Sequence, residues 1–206
     1  MTRKSEALKR KGPTFKAQPT VLVICEDLQS SRKYLQDVAF HFRIKVDVTH
    51  CGKTDPKNIV IEAIRNKNKY DHVFCAIDRD THETFDEAMR LIRAEPKITP
   101  IVSYPCFEYW LLLHFGPCRK PYASSGNRSA ADNLIEDLRT YEGMENYAKG
   151  EVKDLFKSLR GSKFQEARKQ GPLMLNAAIA DDELNPSTRL HELIAYFEKI
   201  STLEPL

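Results

Sequence analysis

The sequence predicts an α/β fold: a mainly parallel four-stranded sheet flanked by helices, followed by a C-terminal helical extension. Three observations predict it. Apolar runs of strand length, led by Val21-Leu22-Val23-Ile24-Cys25 and Val73-Phe74-Cys75-Ala76-Ile77, alternate with stretches whose apolar residues recur at helical spacing. The order is βαβαβαβ up to about residue 115, and parallel neighbours need crossovers of helix length. From residue 129 onward four amphipathic helical patterns follow.

Each element has its own signal. Residues 21–26 read as a buried strand, and Tyr34, Leu35, Val38, Ala39 and Phe42 then mark a helix over 30–42. Residues 44–48 alternate apolar and charged side chains, as a half-exposed strand does. Gly52 to Asp55 turns into Pro56, a favoured first helical residue, and Ile59, Val60, Ala63 and Ile64 face one side of the helix it opens. A strand over 72–77, a helix over 85–94 and a strand over 98–104 complete the alternation. The extension carries helical patterns at 129–142, 147–160, 172–184 and 187–201; Pro172 and Pro186 mark two starts, with Asn185 or Ser187 as candidate caps. The chain therefore divides into a basic tail (1–18), an α/β core (19–115) and a helical extension packed on that core (116–206).

Composition narrows the class. The chain has 206 residues, 41% of them hydrophobic and 30% charged, enough to bury a core rather than remain disordered. The formal net charge is +3, but residues 1–16 hold six basic side chains against Glu6, so the rest is near −2. Such a tail reads either as a nucleic-acid contact or as a solvated terminus. No apolar run reaches the length of a membrane span or of a signal-peptide core. The five cysteines have no C-x-x-C pair and no histidine at zinc spacing, which fits small core residues in a reducing cytoplasm.

The chemistry concentrates in two acidic clusters, Glu26-Asp27 after the first strand and Asp78-Arg79-Asp80 after the third. Carboxylates at strand ends are costly to gather unless a cation shares them. In doubly wound sheets sites form at the carboxyl ends of strands beside a switch point. If strands one and three are neighbours, Glu26 and Asp78 emerge about 5 Å apart, with Asp80 directed the same way. Oxygen donors without Cys or His favour Mg²⁺ or Mn²⁺ over zinc, and phosphoryl transfer is the natural chemistry.

Lys149, Lys153, Lys157 and Arg160 follow spacings of four, four and three, which on a helix makes one cationic stripe suited to a phosphate backbone or to solvent. Arg79 or Lys149 is a candidate for steadying a phosphate. Residues 106–115 set Glu108 and the sole Trp among aromatics, so Glu108 needs a partner, either the acidic edge or a cation. His114 reads as a satisfied core histidine. A phospho-acceptor receiver domain also places acids after strands one and three, with Ser103 and Lys120-Pro121 as its later landmarks, but it leaves Asp80 and the basic C-terminal half without a role.

The chain resembles the RloB-like proteins, the abortive-infection L second-component type, whose core is a Toprim domain. The resemblance rests on Val21 to Glu26, on Val73 to Asp80, on the Pro-x-Phe-Glu-x-Trp stretch within Tyr104 to Phe115, and on Asn185-Pro186-Ser187-Thr188-Arg189-Leu190-His191-Glu192-Leu193. It implies a Toprim sheet whose Glu26, Asp78 and Asp80 bind Mg²⁺, and a role in anti-phage defence beside an ABC- or AAA-type ATPase. Two departures stand out: Asp27 replaces the usual glycine, and Ser31 stands near the place of the usual second glutamate. A second metal would therefore need an oxygen from Asp27 or Glu108. The expectation is a Mg²⁺-dependent nuclease acting on DNA, tRNA or another RNA, with a non-catalytic nucleic-acid-binding adaptor as the alternative and a homo-oligomer left open.

Overall fold

A computed structural model of the chain describes residues 18–79, 83–151 and 154–202; the basic tail, Asp80 and Lys153 lie outside the described residues. Five strands form one sheet: β1 (Val21–Cys25), β2 (Val46–His50), β3 (His72–Asp78), β4 (Ile98–Tyr104) and β5 (Ser187–Thr188), in the order β2-β1-β3-β4-β5. The first four are parallel and β5 runs antiparallel to β4. The chain builds outward from β1 in both directions, so the switch point falls between β1 and β3, the arrangement that brings the two acidic clusters to neighbouring strand ends.

Strand alternation divides the apolar residues between two cores. Val21, Val23, Cys25, Phe74, Ala76 and Ile101 face α1 (Ser30–His41), α4 (Glu108–Leu112) and the extension. Leu22, Ile24, Val73, Cys75, Ile77 and Ile98 face α2 (Pro56–Asn66) and α3 (Phe85–Arg93). The extension supplies α5 (Ala130–Leu138), α6 (Leu155–Leu159), α7 (Ser162–Ala180) and α8 (Leu190–Ser201), whose apolar faces join the first core. No helix among the described residues is long and apolar enough to cross a membrane.

Four elements depart from the sequence expectation. Strand β2 starts two residues late because Arg43, at φ 55°, closes α1: the Arg43 and Ile44 amides donate to the Phe40 and Ala39 carbonyls, a Schellman closure. The helix expected from Pro172 begins at Ser162 instead and runs through the proline, with Gly171 against His191, where a Cβ would lie 2.8 Å from the His191 Cβ. The last helical pattern opens with the two-residue strand β5, which adds a fifth strand to the expected four. Asn185 is no cap there; its side-chain amide clasps the Tyr122 backbone, donating to the carbonyl at 2.6 Å and accepting from the amide at 3.1 Å.

The fourth departure overturns the cationic stripe. Residues 147–160 do not form one helix: Gly150 turns at φ 87° and Asp154 at φ 56°, and helix resumes only over α6. Glycine costs roughly 1 kcal/mol in a helix interior and favours this left-handed turn. Lys149 is thereby separated from Lys157 and Arg160, and Lys153 lies outside the described residues.

Candidate metal centre

The centre starts from the register of β1 and β3. Cys25 pairs with Ala76, and one residue further the Glu26 amide donates to the Ala76 carbonyl at 3.0 Å. The Glu26 carboxylate reaches across to accept the Asp78 backbone amide at 2.9 Å. Both acids are buried, 7% and 8% exposed. With Asp27, Ser31 and Ser103 they line a cavity of about 10 Å³, the space of a single water or ion.

The helical extension adds the remaining groups. Glu108, in the first turn of α4, is fully buried; one oxygen accepts the Tyr147 hydroxyl at 2.9 Å, and the other has no hydrogen-bond partner among the described residues. A buried carboxylate oxygen without a donor is uncommon and marks a place for a cation or water. The turn ending at Gly150, whose amide donates to the Ser30 hydroxyl at 3.0 Å, delivers Lys149 to this edge. The Lys149 Nζ lies 4.0 Å from Asp78 Oδ2. Burial opposes its charge, but the Glu108 carboxylate and then Asp78 outweigh burial and raise its pKa above the ordinary lysine range.

The other candidates fall elsewhere. Asp27 is engaged at the entry to α1, where its oxygens accept the Gln29 and Ser31 amides at 3.1 and 2.6 Å. Arg79 points to the opposite face of the sheet from Asp78, its guanidinium 4.4 Å from the Phe85 ring centre and 3.6 Å from Asp86. Lys157 and Arg160 line a separate hollow with Phe40 and Arg43, roughly 16 Å along α1 from the acidic edge. Lys120, which a receiver domain would bring to its aspartate, pairs with Asp137 at 2.6 Å instead. His114 is the satisfied core histidine the sequence suggests: it bonds the Tyr34 hydroxyl and the Trp110 carbonyl, each at 3.0 Å, and burial lowers its pKa to about 4. All five cysteines are free thiols, and burial pushes Cys25 up to about 12, which removes it as a nucleophile at neutral pH.

Among the described residues no three His, Cys, Asp or Glu side chains converge as a metal-binding group; Asp80, the expected third ligand, lies outside them. The acids that do meet here, Glu26 and Asp78, offer carboxylate oxygens, which suit Mg²⁺ or Mn²⁺, and Glu108 is coupled to this edge through Lys149. Tyr147 and Ser30 are the participants that residue spacing missed. Gly150 was the available signal, because a glycine directly after Lys149 marks a turn rather than a helix interior.

No curated protein and no solved structure matches the chain. The sequence model of the RloB-like protein matches residues 21–197, which takes in both acidic clusters, the aromatic segment and the Asn-Pro-Ser-Thr segment; the chain belongs to the RloB-like family.

Proposed function

We propose that the chain is a Mg²⁺-dependent nuclease of Toprim type, acting in anti-phage defence beside an ABC- or AAA-type ATPase. The observation that carries this reading is the pair of buried carboxylates, Glu26 and Asp78, at the ends of adjacent parallel strands around an ion-sized cavity. A divalent ion held there would stabilise charge on phosphoryl oxygens and lower the pKa of a bound water. Glu26 and Asp78 would hold it with Asp80, with Glu26 as metal ligand or general base. Lys149 supplies a cation at the same edge for the scissile phosphate, and Glu108 with Tyr147 anchors that lysine's surroundings.

The test is cleavage of total tRNA and of plasmid DNA by the purified chain with Mg²⁺, with and without the neighbouring ATPase and ATP. Replacing Asp78→Ala and Asp80→Ala together should lower the rate by about a hundredfold or more; cleavage undiminished in that variant sinks the assignment. A second reading, a non-catalytic nucleic-acid-binding adaptor, is favoured by the Lys149–Asp78 pair, which partly neutralises the carboxylates without any metal. Saturable nucleic-acid binding without divalent-ion binding or cleavage, even with the ATPase present, would select it.

A further inference from the structure

Strand β5 covers β4 only at Ser103 and Tyr104, with the Arg189 amide extending the cover to the Val102 carbonyl at 2.9 Å. The rest of that edge forms the floor of a groove of about 520 Å³, bounded by α3 on one side and the C-terminal end of α7 on the other. Its apolar lining includes Met89, Pro100, Val102, Ile179 and Leu184. Ile179 and Leu184 are 55% and 46% exposed, more than their chemistry favours on a surface with no partner.

Charge surrounds this apolar strip. Arg79, Arg93 and Arg189 line the groove, and none of its described lining residues is acidic. Arg79 and Arg189 are paired with the exposed Asp86 at 3.6 Å and the half-buried Glu192 at 3.1 Å, while Arg93 makes no ion pair among the described residues. We propose that this groove docks a helical segment of a partner protein, with an apolar stripe toward Pro100, Val102 and Ile179 and carboxylates toward the three arginines.

The alternatives fit less well. The Lys97 and Ser103 carbonyls accept the Val73 and Arg79 amides, so by alternation residues 98, 100 and 102 turn their backbone to the far edge, where the Arg189 amide covers the Val102 carbonyl. Pro100 has no N–H to offer an added strand, which disfavours pairing by strand addition. Nucleic acid would need open rings to stack bases, but Arg79 already covers Phe85 at 4.4 Å and Tyr104 at 5.6 Å, and the rest of the lining is largely aliphatic. A helix with acidic flanks satisfies both the strip and its rim. This inference does not rest on the nuclease reading.

The test places a photo-crosslinking benzoylphenylalanine at Ile179 of the full chain in its native host, with Phe40, 86% exposed on α1, as the control position. The expected product is an Ile179-specific adduct to a protein segment with apolar residues at helical spacing and Asp or Glu between them. Arg93→Glu with Arg189→Glu should reduce that adduct by about tenfold at unchanged melting temperature. An adduct to nucleic acid, to a second copy of this chain or to a segment without acidic residues overturns the proposal. So does an Ile179 yield no higher than that of Phe40, or an adduct insensitive to the charge reversal.

Discussion

An ammonium 4.0 Å from a buried aspartate, coupled as well to a fully buried glutamate, competes for the charge a divalent ion would satisfy. Lys149→Met should therefore tighten Mn²⁺ binding by about three- to tenfold while slowing phosphodiester cleavage, because the group facing the scissile phosphate is lost. Calorimetric titration beside a cleavage assay separates the two effects. Weaker Mn²⁺ binding in the variant would contradict the placement of Lys149.

At the same scale, His114 makes a pH prediction. The Trp110 indole N–H donates to the Tyr34 hydroxyl at 2.9 Å, so Tyr34 donates onward to Nε2, and the Nδ1 proton goes to the Trp110 carbonyl. The imidazole is thus held neutral, with a pKa of about 4 against an ordinary 6.5. Because the folded pKa lies below the unfolded one, the unfolded chain takes the proton first. This contribution to stability is whole above about pH 6.5, falls as pH drops toward 4, and then levels, a loss of about 3 kcal/mol in all. Urea unfolding at pH 7.0, 5.5 and 4.5 should show the wild type losing stability faster than His114→Phe across that window. Parallel curves would exclude the mechanism.

At the scale of elements, the turn at 149–151 decides the site. Gly150 has φ 87°, and a Cβ there would lie 3.3 Å from the Gln29 Cβ. Gly150→Ala should cost about 1–2 kcal/mol in chemical denaturation and weaken the coupling of Lys149 to the acidic edge; an unchanged unfolding midpoint would contradict the strained turn. Most parallel elements were legible, because apolar runs bounded by helical periods say where strands β1, β3 and β4 must be, and because the switch point follows once β1 and β3 are neighbours. The errors came where a local signal competed with a longer pattern. The four basic residues from 149 to 160 kept helical spacing, yet Gly150 and the left-handed Asp154 broke it. Pro172 read as a helix start, but the helix runs through it where Gly171 lies against α8.

For the whole molecule, the sheet separates two kinds of surface. On the face carrying Asp78 and Ser103, the extension supplies Lys149 to the acidic edge, with Glu108 and Tyr147 beside it; on the face carrying Arg79 and Tyr104, the described residues form an arginine-rimmed groove. Glu26 and Asp78 could be placed at one edge of the sheet from sequence because Glu26 directly follows a buried strand and Asp78 ends one. Lys149 could not be placed, because its approach depends on a turn docking against Ser30, 120 residues earlier in the chain.

The central claim, that these carboxylates form a divalent-ion site, is tested most directly by Mn²⁺ binding to the purified chain, followed by electron paramagnetic resonance. The wild type should bind Mn²⁺ saturably, Mg²⁺ should displace it, and both Glu26→Gln and Asp78→Asn should weaken binding by about tenfold or more while the protein remains folded. Saturable binding that survives both substitutions unchanged, or no binding by the wild type at millimolar Mn²⁺, would contradict it.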